Sequence, residues 1–359
     1  MAFENRYSFM DRMLHKISFA TPGLQLSVAD MEDSLFSKQL SAINIERPVF
    51  ITAIPRAGTT LLLELLVKQG EFASHSYRDM PFVLLPMLWD KFSRSFRKND
   101  LPRERAHGDG MLITVDSPEA FEEMVWKAFW KSHYNTRFIK NWDSESDDNF
   151  NDFLRNHIKK IIALRSESAG KSLRYISKNN LNIARIGYLL RLFPDARIVI
   201  PFRDPIQHAA SLLKQHLNFI KIHKDDDFAK KYMASIGHYD FGENLRPVDF
   251  NQWFSKLENI DTCTLEFWLC YWLSSYSYLK TRLNDQVVLF NYDSFCGEPV
   301  NGLQKLAKHL QLTNSDLLFD QASRIKLARP HDIDVGKVSD NVIKKVKSVY
   351  ADMQAQSLV

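Results

Sequence analysis

Along much of the chain, short apolar runs that stop at proline or glycine alternate with longer stretches whose apolar residues recur at helical spacing. Pro48-Val-Phe-Ile-Thr-Ala-Ile54 is one such run, ends in a Pro/Gly segment, and reads as a buried parallel strand. Thr59 to Gln69 is rich in leucine and closes on Gly70, the usual helix stop. Arg174 to Ser177 predicts a strand and Asn182 to Phe193 a helix. Ala196 to Phe202 predicts the next strand, and Pro205 to Phe219 a helix capped by Asp204. An aromatic helix from Thr262 to Arg282 follows, then a strand from Gln286 to Asn291 and a helix after Pro299. This alternation implies an α/β fold, a parallel sheet with helices on both faces, whose ligands bind at the carboxyl ends of strands.

Two stretches break the rhythm. Residues 1–47 are mixed and helical in pattern, an amino-terminal cap. Residues 81–157 are irregular and hold Pro-Arg-Glu-Arg at 102–105, His107-Gly-Asp-Gly110 and an acidic stretch from Asp143 to Asp152. Within them Ser117 predicts a helix cap, with Pro118 in the first position and Glu119 at the positive end of the dipole. Lacking repeats and low-complexity tracts, the chain reads as a single domain, 1–359, with the cap at 1–47 and an insertion at 81–157.

Composition narrows the function. At 45% hydrophobic and 25% charged residues the chain is globular. A net charge of +4 suits a small anionic ligand and argues against nucleic acid, which calls for a concentrated basic stripe. Cys263, Cys270 and Cys296, odd in number, predict buried reduced thiols rather than a disulfide or metal site. The amino terminus carries charges throughout, and the best apolar stretch, Phe267 to Leu279, is too short to span a membrane. The expectation is a cytoplasmic protein with no transmembrane segment.

Candidate chemistry gathers at two strand-to-helix turns. Ile54-Pro-Arg-Ala-Gly-Thr-Thr60 points the amides and the positive end of the following helix at its mouth, where an anion fits. Gly58 allows close approach, Thr59 and Thr60 add hydroxyl donors, and Arg56 supplies a positive fork. The first glycine and the lysine of a nucleoside triphosphatase loop are missing, which disfavours a kinase. A tight turn capped by threonine is the plain alternative. In the second turn, Arg203 ends a strand and Ser211 lies on one face of the next helix with the cap Asp204. Arginine and serine would grip a second phosphate from two sides.

These two turns, in this order and spacing, resemble the sulfotransferase superfamily that uses 3′-phosphoadenosine 5′-phosphosulfate (PAPS). Pro55-Arg56-Ala57-Gly58-Thr59-Thr60 is similar to the 5′-phosphosulfate loop in the P-R-[SA]-G-T-T form of the tyrosylprotein and related bacterial branch. Arg203 and Ser211 match the family's 3′-phosphate pair. The resemblance implies a P-loop-type sheet, PAPS as co-substrate with no metal, a hydroxylated acceptor as partner, and a bacterial type of cytoplasmic enzyme. It further implies that Lys178 contacts the sulfuryl group, that Tyr292 contacts the nucleotide, and that Arg329-Pro-His331 and Lys337 close over it.

The sequence departs from that branch at the catalytic base, a glutamate twenty-one residues after the loop arginine. Here that position is Tyr77. His75 and Asp79 are the nearby titratable residues, with Asp79 placed first as base. A second segment, His107-Gly-Asp109-Gly110 with Glu119, Glu122 and Glu123, competes; His107, Asp109 and Glu122 are assigned to acceptor binding. An atypical P-loop kinase and a non-catalytic nucleotide-binding scaffold stand as alternatives.

Overall fold

The computed structural model describes residues 9–94, 103–104, 112–258, 261–327 and 329–359. His107 and Asp109 lie outside the described residues. Five strands form one wholly parallel sheet: β1 (Val49–Ile51), β2 (Phe72–Ala73), β5 (Arg174–Lys178), β6 (Arg197–Phe202) and β7 (Val287–Asn291), in the order β2-β5-β1-β6-β7. An antiparallel pair, β3 (Arg103–Glu104) and β4 (Leu112–Ile113), stands apart from it.

Alternation along the strands sends side chains to two cores. Phe50, Tyr175, Ile198, Ile200 and Leu289 belong to the larger cluster, while Val49, Ile51, Ile176, Val199 and Phe290 belong to the other. Three helices precede the sheet: α1 (Phe9–Ala20), α2 (Pro22–Leu35) and α3 (Ser37–Ser41). The smaller core is closed by the leucines of α4 (Thr59–Gln69), Leu62, Leu63, Leu65 and Leu66, each worth about 2 kcal/mol when buried.

Next come α5 (Pro86–Ser93), α6 (Glu122–Phe129), α7 (Asp148–Ala169), α8 (Ile186–Leu192) and α9 (Pro205–Asp225). They are followed by α10 (Asp227–Ser235), α11 (Leu265–Lys280), α12 (Tyr292–Gly297) and α13 (Pro299–Leu310). The last two are α14 (Asp316–Phe319) and α15 (Asp340–Ala355). Residues of α7, α8, α9, α11 and α15 fill the larger core, and α13 joins α4 on the other, so helices cover both faces of the sheet.

Several predicted elements shift. The helix expected from Ser117 starts at Glu122, because the Ser117 hydroxyl accepts from Thr114 N (2.9 Å). Residues 115–119 instead lie along 75–78: Arg78 N donates to Val115 O (3.0 Å) and Glu119 N to His75 O (2.9 Å). The helix expected over 182–193 divides into a 3-10 turn, Asn180–Ala184, and α8, since the Asn179 side chain caps the turn. Helix α9 runs past Phe219 to Asp225, where Asp226 caps α10 in turn. Of the cysteines, Cys296 is buried but Cys263 is exposed, just ahead of the Thr264 cap of α11.

Register brings the strand ends together. Ile51 lies between Lys178 on β5 and Val199 on β6, and Phe202 pairs with Asn291 on β7. The residues that leave β1, β5, β6 and β7 therefore emerge at one edge of the sheet.

Candidate active site

After β1 the chain turns through a buried Thr52-Ala53-Ile54 and enters the loop. Arg56 (φ +69°) and Gly58 (φ +91°) both take left-handed conformations. For arginine this costs about 1 kcal/mol, sustained by the loop's other contacts. A Cβ on Gly58 would lie 2.2 Å from Cε2 of Tyr292, so only glycine admits that ring against the loop. Thr59 opens α4 with no side-chain cap, leaving the helix start, with Thr60 next, facing the loop mouth.

The other wall comes from α9. Asp204 caps the helix by accepting from Ile206 N (3.0 Å) and Gln207 N (2.9 Å). Arg203, at the end of β6, donates from Nε to Asp293 Oδ1 (3.2 Å) and from Nη1 to the Arg56 carbonyl (3.4 Å). Asp293 also accepts from Asp204 N (2.8 Å), and the guanidinium stands 5.8 Å from the Tyr292 ring centre. Arg56 Nε donates to Ser211 Oγ at 3.4 Å. His208, between these residues and fully buried, meets the Pro55 carbonyl through Nε2 at 2.7 Å. Burial and the cations of Arg203 and Arg56 push its pKa down to about 3, so the imidazole is neutral. Farther along, Gln207 and the His331 backbone exchange two hydrogen bonds (2.7 and 3.2 Å). That segment stands beside the same cations: burial, then Lys214, Arg203 and Arg56, lower the His331 pKa.

Lys178 ends β5 at this edge. Tyr77 donates its hydroxyl to Glu119 Oε2 (2.7 Å), and Asn180 Nδ2 donates to Asp240 Oδ2 (3.0 Å). His238 Nε2 lies 3.8 Å from the same Asp240 oxygen. Burial lowers the His238 pKa, Asp240 and Glu119 oppose the shift, and Lys178 reinforces it, so all three charges are felt at this ring.

Asp79 and His75 sit elsewhere. Both are buried, with His75 Nδ1 3.3 Å from Asp79 Oδ2 and its Nε2 3.2 Å from His157 Nε2. Arg165 of α7 donates to both Asp79 oxygens (2.6 and 2.7 Å), and Ser76 N to one of them (2.9 Å). Burial would raise the Asp79 pKa, but Arg165 and His75 outweigh it and hold the carboxyl well below the usual range. Glu122 is also enclosed: it accepts from Tyr175 OH (2.9 Å), Asn182 (3.0 Å) and Trp126 (3.2 Å). Glu123 forms a buried two-point ion pair with Arg185 (2.6 and 2.9 Å). Both Asp79 and Glu122 are thus buried with their oxygens hydrogen-bonded inside the protein.

Arg56, Gly58, Thr59, Arg203, Ser211 and Tyr292 are thus brought to one edge with Lys178, whereas Asp79 with His75, and Glu122 separately, are held in buried hydrogen-bonded clusters. The sequence places His208 and Asp293 beside the two turns without marking a role for either, and it does not single out His238 or Asp240. Asp293 carried a signal, an acid just past a strand end, and His208 stood one turn after a cap. Nothing local marks His238 or Asp240, which arrive through folding.

A sulfotransferase family model matches residues 48–316. No curated protein matches the chain by sequence. Among solved structures, a sulfotransferase from Mycobacterium avium is similar at TM-score 0.50 and 13% identity, with 90% of this chain and 80% of that one covered. One from Mycobacterium tuberculosis gives TM-score 0.46 at 12% identity over 90% and 81%. Another from Alicyclobacillus acidocaldarius gives 0.40 at 11% over 87% and 94%. With the family matched across most of its length, both strand-to-helix turns included, the chain belongs to the sulfotransferase family.

Proposed function

We propose that the protein transfers a sulfuryl group from PAPS to a hydroxyl of an acceptor, a glycan or another hydroxylated metabolite. One observation carries this reading: the uncapped start of α4, Arg56, Arg203 and Ser211 converge at one sheet edge around the loop. The residues fit a sulfonucleotide. The glycine cradle and α4 amides suit its 5′ side, and Arg203 with Ser211 its 3′-phosphate. Asp293 orients Arg203 by taking its Nε, which leaves the guanidinium's far side to meet an anion.

Bound there, PAPS would supply the sulfuryl group and leave as adenosine 3′,5′-bisphosphate. Arg56, Lys178 and the loop amides would stabilise charge on the departing phosphate oxygen, which grows in the transition state. A sulfuryl group bears a single negative charge, so side-chain cations meet the need. The acceptor oxygen forms the new bond to sulfur as the bond to the phosphate oxygen breaks, in line, and its proton must pass to a base.

We assign that base to Glu119 in place of Asp79. Tyr77 holds the Glu119 carboxylate by its hydroxyl, and Glu119 acts on the same ring as Lys178, while Asp79 is buried and ion-paired with Arg165. His238 and Asp240 would contact the acceptor. Residues 1–359 would act as one domain, with 81–157 reaching the acceptor through Glu119. The free cysteines accord with a reducing cytoplasm; among the described residues, no helix is long and apolar enough to cross a membrane.

Calorimetric competition tests the reading. Adenosine 3′,5′-bisphosphate should bind at micromolar concentration and ATP at least about 100-fold more weakly, a difference of about 2.7 kcal/mol. Equal or tighter binding of ATP would favour a kinase, and no nucleotide binding by folded protein would favour a scaffold.

A further inference from the structure

The loop between β1 and α4 is hydrogen-bonded at Pro55 by a residue outside it. His208 lies one turn into α9, is fully buried, and puts Nε2 2.7 Å from the carbonyl oxygen of Pro55. A carbonyl accepts, so the ring must carry its proton on Nε2. Its Nδ1 is buried with no hydrogen-bond partner among the described residues, as an unprotonated nitrogen. Tyr276 packs at 6.3 Å between ring centres and is itself anchored by its hydroxyl to Pro201 O (2.9 Å), so the imidazole has a fixed platform. Directly after Pro55 the backbone enters the left-handed conformation of Arg56, whose carbonyl faces Arg203 and whose side chain meets Ser211.

We propose that His208 is a positioning residue for the anion loop: as a neutral Nε2–H donor it fixes the Pro55–Arg56 peptide, and so the aim of the Arg56 side chain and the loop amides. Helix α9 then grips the loop at successive turns, by Arg203 at its foot, His208, and Ser211. A neutral donor suits this place, because a second buried positive charge beside Arg56 and Arg203 is opposed by both, and the low pKa reflects that opposition. An arginine or lysine at 208 would hydrogen-bond the same carbonyl but crowd charge behind the loop. The proposal rests on the nucleotide reading above.

Calorimetry with adenosine 3′,5′-bisphosphate on folded full-length protein provides the test. His208→Leu should weaken binding about tenfold while near-UV circular dichroism stays native. His208→Gln, whose amide Nε2 reaches as far as the imidazole Nε2, should restore affinity to within about threefold of wild type. A packing role alone would not separate these variants in that direction, since leucine fills the site without a polar atom. Should the leucine variant fail to fold, His208→Asn, whose amide stops short of Pro55, takes its place with the same expectation. Unchanged affinity without the donor, or a glutamine variant no better than leucine, would overturn the inference alone. Absence of binding by wild type would overturn the nucleotide reading, and the inference with it.

Discussion

Arg165 and Arg203 both meet an aspartate, in two regions built on opposite terms. Beneath β2, Arg165 gives both Asp79 oxygens a hydrogen bond, adds the Ser74 carbonyl and the Ser76 hydroxyl, and closes a buried cluster with His75 and His157. At the end of β6, Arg203 touches Asp293 with Nε at 3.2 Å and reaches the Arg56 carbonyl only at 3.4 Å. Asp293 keeps 34% of its side-chain surface exposed, against 3% for Asp79. The first region is enclosed and ion-paired, whereas the second is more open and lies beside the β1–α4 loop.

Substitutions at the two regions should part cleanly. The largest effect is expected at Glu119→Gln, which should lower kcat by about 10²–10⁴ with nucleotide affinity and melting temperature unchanged. Asp79→Asn should instead lower stability; slowed turnover by folded, fully stable Asp79→Asn protein would return the base to the buried region. Arg165→Ala should cost about 3 kcal/mol in urea unfolding, because it strands the Asp79 charge in the interior, and should leave nucleotide binding as it was. Tyr77→Phe sharpens the contrast with a smaller change, about fivefold in kcat, as Glu119 loses one hydrogen bond but keeps its charge.

The smallest effect is in pH. His208 and His216 have pKa values pushed down to about 3 and about 4 by burial, from an ordinary 6.5. The unfolded chain therefore binds more protons below pH 6.5, so the stability these groups contribute is complete above 6.5 and is lost as pH falls toward their folded values. The unfolding free energy from urea titration should decline by about 1 kcal/mol from pH 6.5 to 5.5 on account of His208, and His208→Gln should remove that share of the slope.

What the sequence disclosed follows the same division. The strands β1, β5, β6 and β7 and the helices α4, α9 and α13 were legible because each is a local pattern: an apolar run, a cap such as Asp204, a stop such as Gly70. The β1–α4 loop and its neighbours were legible too, since Arg56 through Thr60 are contiguous and Arg203 and Ser211 lie close along one strand-to-helix turn. The surroundings of Glu119 were not. Glu119 comes beside Tyr77 only because residues 115–119 pair with 75–78, a contact that also takes the place of the helix expected from Ser117. The burial of Asp79 depends on Arg165, 86 residues away, and no spacing announces such a partner. Strand β2, two residues long, is too short to show any alternation.

The central claim is that Arg203 receives a 3′-phosphate at the mouth shared by the β1–α4 loop and α9. Calorimetric titration of wild type and Arg203→Ala with adenosine 3′,5′-bisphosphate and with adenosine 5′-phosphate tests it most directly. Wild type should prefer the bisphosphate by about 100-fold, the worth of a charge-assisted pair, and Arg203→Ala should bind the two nearly alike. Equal binding of both nucleotides by wild type, or a preference that survives Arg203→Ala, would contradict the account.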